Sequence, residues 1–289
     1  MHMSSMFRAV VVVLTLGGSL AALPAASASA SSEHGDGGSY LALGDSVPFG
    51  YNPLLVAPGV NPDVFVGYPE LAAERTRPEL DLVNAACPGE TSTSLITGTR
   101  PDNGCQDYRQ FVGGLHVAYP ASQLAFATNW VGTHRHTRLV TLMIGANDLF
   151  VLQHQCDTSP DPNCITAGLP GVLGTIAANL TTIYGALRHA GYHGTLMAVT
   201  YYSLNYADPS ATAVTTALDA VLATVTRAFG GVVADGFGEL QRAAARAGGD
   251  TCAAGLLIRL SATTCDVHPT PAGARRLADA VVDAIGDHR

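Results

Sequence analysis

A serine, a glycine, an asparagine and a histidine stand in four short segments whose residue types suit nucleophilic chemistry at a carbonyl carbon. The segments read Gly44-Asp45-Ser46-Val47, Cys87-Pro88-Gly89-Glu90, Gly145-Ala146-Asn147-Asp148 and Cys265-Asp266-Val267-His268. A serine hydroxyl is inert at neutral pH until a neighbour takes its proton. Imidazole titrates near working pH, so His268 is the candidate base for Ser46. The two are far apart in sequence, and only the fold can bring them together. No Gly-x-Ser-x-Gly elbow offers a rival serine site.

Composition removes other chemistries. All 15 basic residues are arginine, so there is no Schiff-base lysine, no Ser–Lys dyad and no P-loop lysine. The formal net charge of −8 speaks against a nucleic-acid partner, which needs a basic face. Neither CxxC nor HExxH occurs, which leaves a metal reading weak. His134-Arg135-His136 has no third ligand nearby and reads as a solvated loop. The 31 Gly and 16 Pro are many, without making the chain low-complexity.

The elements that must position the four segments are legible as alternating patterns. Short apolar runs at Tyr40–Leu43, Leu80–Ala85, Leu139–Ile144, Thr195–Tyr201 and Gly231–Ala234 are bounded by Gly or polar turns, as buried parallel strands are. Helical spacing falls at about 67–77, 120–132, 172–191, 209–229 and 272–286. This alternation predicts an α/β fold with a parallel sheet covered on both faces. In such sheets the site lies at the carboxyl ends of the strands. Ser46, Gly89 and Asn147 each follow a predicted strand, and His268 precedes the last helix. No repeat or second domain is visible, so one domain over 39–289 is expected.

Residues 1–30 read as a secretory signal peptide. Arg8 precedes the apolar run Ala9–Leu16, and Ala26-Ser27-Ala28 and Ala28-Ser29-Ala30 are small-residue cleavage sites. Residues 31–38 read as a flexible lead-in. No later segment looks long enough to span a membrane without charges or turns. The six cysteines agree with export, where an even count implies disulfides. Six cysteines allow 15 pairings, and sequence does not choose among them. Their spacing forms three local couples, which favours Cys87–Cys105, Cys156–Cys164 and Cys252–Cys265.

Taken together and in order, the four segments resemble the SGNH (GDSL-type) hydrolases. Secreted actinobacterial lipases and esterases look most similar, including three local cysteine pairs. The resemblance spans roughly 39–286. It implies a three-layer α/β/α sandwich with a five-stranded parallel sheet, a flavodoxin-like arrangement. It also implies Ser46 as nucleophile, and an oxyanion hole made of the Ser46 N–H, the Gly89 N–H and the Asn147 amide. A bare glycine backbone can approach a substrate closely, and an amide donates where a carboxylate would repel. No cofactor is implied. One departure concerns the group that orients His268. The family commonly places Asp three residues before the histidine, where this chain has Cys265. Two arrangements fit. Asp266 reaches the ring through a different local bend, or a backbone carbonyl near Cys265 takes the hydrogen bond and Asp266 is a turn residue.

Other residues are given lesser parts. Asp45 is expected to fix the serine turn. Asp148 either holds Asn147 or caps a turn. Tyr201 and Tyr202 either line the acyl site or pack. Trp130 is expected on a helix against the core. Leu54, Leu55 and Val56, with Val64, Phe65 and Val66, form apolar loops that either receive a lipid chain or belong to the core. The function expected is a secreted, monomeric serine esterase or lipase. A thioesterase or carbohydrate O-deacetylase would use the same groups. From another class, a non-catalytic binding module that kept the fold is the alternative, since fold alone never proves function. The presence of all four residues speaks against it.

Overall fold

A computed structural model of the protein describes residues 38–286. The signal peptide expected over 1–30, and all but the last residue of the lead-in, lie outside the described residues. Five parallel strands form the central sheet: β1 (Ser39–Gly44), β2 (Asp81–Asn84), β3 (Thr137–Met143), β4 (Thr195–Val199) and β5 (Val232–Ala234). Their spatial order is β2-β1-β3-β4-β5, the flavodoxin-like order. Leu41 registers with Val83 on one side and Val140 on the other. Tyr40 to Leu43 and Leu196 to Val199 are fully buried. Strands covered on both faces must be apolar throughout, which is why these read as continuous runs.

The helices are α1 (Ser46–Phe49), α2 (Tyr68–Ala73), α3 (Ser92–Thr97), α4 (Cys105–Asp107), α5 (Gln123–Thr133), α6 (Ala146–Cys156), α7 (Cys164–His189), α8 (Pro209–Ala228), α9 (Gly236–Ala244) and α10 (Pro271–Gly286). Helix α10 packs on α2 and α9, while α7 packs on α3, α5, α6 and α8. The sheet lies between these two layers, giving the three-layer α/β/α fold. A separate antiparallel pair, β6 (Leu257–Arg259) and β7 (Cys265–Pro269), precedes α10.

Several elements differ from the sequence expectation. The helix expected from 172 begins at Cys164, running through Gly168, Pro170, Gly171 and Gly174. Pro170 lies in the second turn of this 26-residue helix, where it removes a ladder hydrogen bond without ending the helix. Ile176, Leu180, Ile183, Tyr184 and Leu187 form its buried stripe. By length and composition alone, α7 is apolar enough to cross a membrane, which corrects the statement that no later segment is. Helix α6 was not expected, because only Asn147, Asp148 and Leu152 of it are buried. That leaves no apolar stripe to read. Helix α9 and the β6–β7 pair were also missed.

Candidate active site

The serine segment is a strand-to-helix turn at the carboxyl end of β1. Gly44 has φ +135°, and a Cβ there would lie 2.1 Å from the Met143 carbonyl oxygen. Only glycine can end the strand so close to β3. Asp45 caps α1, its Oδ1 accepting from the Val47 N–H at 3.0 Å. Its Oδ2 accepts from the Tyr201 hydroxyl. Asp45 is 1% exposed. Burial pushes its carboxyl up to about 6, against the Tyr201 and Val47 bonds that favour the ionised form. Asp45 thus touches backbone and tyrosine, and Ser46 follows it as the first residue of α1.

His268 lies on β7. Its Nε2 is 2.7 Å from Ser46 Oγ. Its Nδ1 is hydrogen-bonded to Asp266 Oδ1, which also accepts from the His268 backbone N–H at 3.0 Å. A strand explains this spacing. Side chains at i and i+2 share one face of a strand, so Asp-x-His sets the carboxylate beside the ring. Of the two arrangements left open above, the geometry has the carboxylate on Nδ1. Burial opposes ionisation of Asp266, but the hydrogen bond and charge of His268 outweigh it and hold its carboxyl below the usual carboxylate range. The strand itself is tied down. Cys265 is bonded to Cys252, and the Tyr202 hydroxyl donates to the Val267 carbonyl at 2.7 Å. The Tyr51 ring packs on the imidazole, with centroids 4.8 Å apart.

Asn147 sits in the first turn of α6, at the carboxyl end of β3. Its Nδ2 donates to the Glu90 carbonyl at 3.0 Å, and its Oδ1 accepts from Asn103 Nδ2 at 2.8 Å. These two bonds fix which way the amide faces, and leave the second Nδ2 hydrogen for another acceptor. Gly89 forms the neighbouring turn at φ +81°, where a Cβ would lie 2.4 Å from the Asn103 carbonyl oxygen. The glycine is thus required first by close packing on the Asn103 loop, whose N–H donates to the Gly89 carbonyl at 2.8 Å. The Cys87–Cys105 disulfide closes that loop, and Cys156–Cys164 joins α6 to α7.

Sequence reasoning missed a buried polar frame beneath these turns. Gln123 accepts from the Gly44 N–H at 2.6 Å, and its amide nitrogen donates to the Gly44 carbonyl at 3.0 Å and to Glu90 Oε2 at 3.1 Å. It therefore joins the serine turn to the Gly89 turn. Burial raises the Glu90 carboxyl to about 7, opposed by bonds from Ser94 and Gln123. Asp148 neither contacts Asn147's amide nor merely caps a turn. It accepts from the Ser92 N–H at 2.8 Å and the Ser92 hydroxyl at 2.6 Å, tying α6 to the start of α3. The signal these residues carried was only that polar side chains stood in otherwise apolar surroundings.

A cavity of about 660 Å³ opens beside Ser46, Asn147 and His268. Its walls include Leu149, Phe150 and Leu152 of α6, Leu169 of α7, and Val214 and Leu218 of α8. Tyr201 and Tyr202 also line it, besides making the bonds described above. The apolar loops at 54–56 and 64–66 do not line it. Leu54, Leu55, Val64 and Val66 are exposed, and Phe65 is buried. Trp130 packs against the core from α5, with the His134 ring stacked on it. Chemically, the site offers a hydroxyl, an imidazole and a carboxylate in hydrogen-bonded series. Oriented amide and backbone donors stand nearby, and a largely apolar chamber adjoins them.

Residues 42–276 match the model of the GDSL-like Lipase/Acylhydrolase family. No curated protein matched the chain in a sequence search. Among solved structures, the fold is similar to a phospholipase A1 from Streptomyces albidoflavus, with 19% identity over 88% of this chain and 100% of that one, TM-score 0.52. It is also similar to a lipase from a goat rumen metagenome, with 15% identity over 85% and 96%, TM-score 0.55. An acetylxylan esterase from Geobacillus stearothermophilus shares 18% identity over 88% and 96%, TM-score 0.52. At these identities the likeness is one of fold, and the match to the family model carries membership. The chain belongs to the GDSL-like lipase/acylhydrolase family and is a carboxylic ester hydrolase.

Proposed function

We propose that the protein is a secreted serine esterase that cleaves esters with a medium or long apolar acyl group. The observation that carries this reading is the series Ser46 Oγ, His268, Asp266 opening directly on an apolar cavity. Ser46 Oγ adds to the ester carbonyl carbon while His268 Nε2 takes its proton. The Ser46 N–H, the Gly89 N–H and the free Nδ2 hydrogen of Asn147 receive the oxyanion. Collapse of the tetrahedral intermediate expels the alcohol, which takes the proton from His268. Water, deprotonated by the same imidazole, then releases the acid and restores Ser46. Asp266 holds the Nδ1 hydrogen and favours the imidazolium that forms at each step. Disulfides suit an oxidising compartment, which supports export.

Asn147→Ala is expected to lower kcat by ~10²–10³-fold with a much smaller change in KM, because its amide meets charge that exists only in the transition state. Steady-state kinetics on one p-nitrophenyl ester checks this, and a change in KM alone would count against the assignment. Substrate class is tested with p-nitrophenyl esters from acetate to palmitate. Activity should rise beyond acetate and peak where the acyl chain fills the cavity. A maximum at acetate would favour a carbohydrate O-deacetylase. Inactivity on every ester, from folded and oxidised protein, would favour a binding module.

A further inference from the structure

We propose that the face around the mouth of the site docks on the surface of an electrically neutral lipid layer, and so draws its ester substrate from an aggregate. This rests on the reading of the site as an acyl-ester hydrolase, and names how that substrate is presented. Scattered exposed apolar residues are ordinary, but a contiguous patch marks an interaction surface. Here the exposed large apolar side chains gather. Leu54, Leu55, Val64, Val66 and Phe111 are exposed, Leu54 by 63% and Phe111 by 65%. Their two loops are joined, since Val60 bridges to Gly113 and the Gly59 N–H donates to the Val112 carbonyl at 2.7 Å. At their base Tyr51 contacts the rings of Phe65, Tyr108 and His268. Tyr51 therefore links the patch to the imidazole.

The same character continues on the other side of the mouth. Ile165 and Leu204 are exposed and line the cavity. Leu260 is exposed in the turn between β6 and β7, the pair that carries His268. Among the described residues, seven of the eight exposed large apolar side chains thus lie in segments that border the site, Leu260 standing at the far end of its hairpin from His268.

Charge decides the kind of partner. From Tyr51 to Val66 the only side chain that carries a charge at neutral pH is Asp63. Arg109 folds away, its guanidinium 4.8 Å from the centre of the Tyr119 ring and bonded to the Tyr119 carbonyl. The first half of α7, Cys164 to Thr175, is uncharged and mostly exposed. An anionic surface would find few cations here and would meet the exposed acids Asp157 and Asp161 at the cavity, whereas a neutral one meets a mostly uncharged apolar face without that repulsion. Continuity with the cavity gives the contact a purpose, because an acyl chain leaving such a layer enters the chamber without crossing water.

The test uses the Ser46→Ala protein, so that binding is read without turnover, with phosphatidylcholine vesicles in a flotation assay. The parent should float with the vesicles. A variant that adds Leu54→Ser, Leu55→Ser and Phe111→Ser should bind about a hundredfold more weakly, as expected when several apolar side chains no longer leave water. With Ser46 intact, the triple variant should keep kcat/KM within about twofold on dissolved p-nitrophenyl butyrate, and lose activity on the aggregate. Loss on both substrates would point to the catalytic reading rather than the docking face. Should the triple variant not fold, Leu54→Asp alone serves, since that side chain is mostly solvated. Four results would overturn the proposal: no binding by the parent, undiminished binding by the variants, binding only to anionic vesicles, or a dimer of the parent that the substitutions dissolve. The last would make the patch an interface between copies of the chain.

Discussion

Ser46→Ala is expected to lower kcat for a p-nitrophenyl ester by about 10⁵-fold or more, with KM nearly unchanged. The size follows from the loss of a covalent route, since nucleophile and base act as one unit. The hydroxyl stands 2.7 Å from His268 Nε2. The other hydroxyls of the neighbouring turns are engaged: Ser92 with Asp148, and Ser94 with Glu90. KM should hold because the walls of the cavity, Leu149, Phe150 and Leu218 among them, are untouched. The oxyanion donors would leave a residual rate above that in water. Steady-state kinetics on freshly purified protein checks the prediction. A loss below about a hundredfold would mean that another group attacks.

Asp266→Asn is the second large effect, expected at about 10⁴-fold in kcat. The carboxylate can only accept, so it fixes Nδ1 as the protonated nitrogen and leaves Nε2 free to take the serine proton. An asparagine can present its NH₂ instead, which stabilises the wrong tautomer. The fold should survive, because the amide oxygen can still accept from the His268 backbone N–H, now bonded at 3.0 Å. The Cys252–Cys265 bond also remains. Kinetics paired with a thermal melt separates the two effects: a large fall in kcat with little change in Tm is predicted. A loss below about tenfold would return the orienting role to a backbone carbonyl near Cys265.

The sheet was legible in the sequence because its central strands are buried on both faces. Tyr40–Leu43 and Leu139–Ile144 are buried at every position and apolar but for Thr141, whose hydroxyl is bonded to that of Tyr40, and such runs stand out. The residues that follow them, Ser46 and Asn147, were therefore easy to place at the strand ends. β7 was not legible. Its five residues, Cys265 to Pro269, are all partly buried and include an acid and a histidine, so no alternation marks a strand. That omission left the position of Asp266 open, since the period of two that pairs it with His268 becomes apparent only on a strand. The supporting frame was hidden for a different reason. Tyr201 reaches Asp45 from 156 residues away, Gln123 reaches Gly44 from 79, and Asn103 reaches Asn147 from 44. Single polar contacts between distant segments have no periodicity. Gly89 shows the same limit. Its type suggested close approach of a substrate, while the nearest constraint is the carbonyl of Asn103.

The central claim is that Ser46, activated by His268 and Asp266, forms the covalent intermediate. The most direct test is to treat the oxidised protein with a fluorophosphonate and map the modified peptide by mass spectrometry. The hydroxyl should attack phosphorus and expel fluoride, giving one adduct per chain, on Ser46. Ester hydrolysis should fall in step with labelling, and labelling should be much slower in Asp266→Asn. An adduct on any other residue, or undiminished ester turnover once Ser46 is fully modified, would contradict the account.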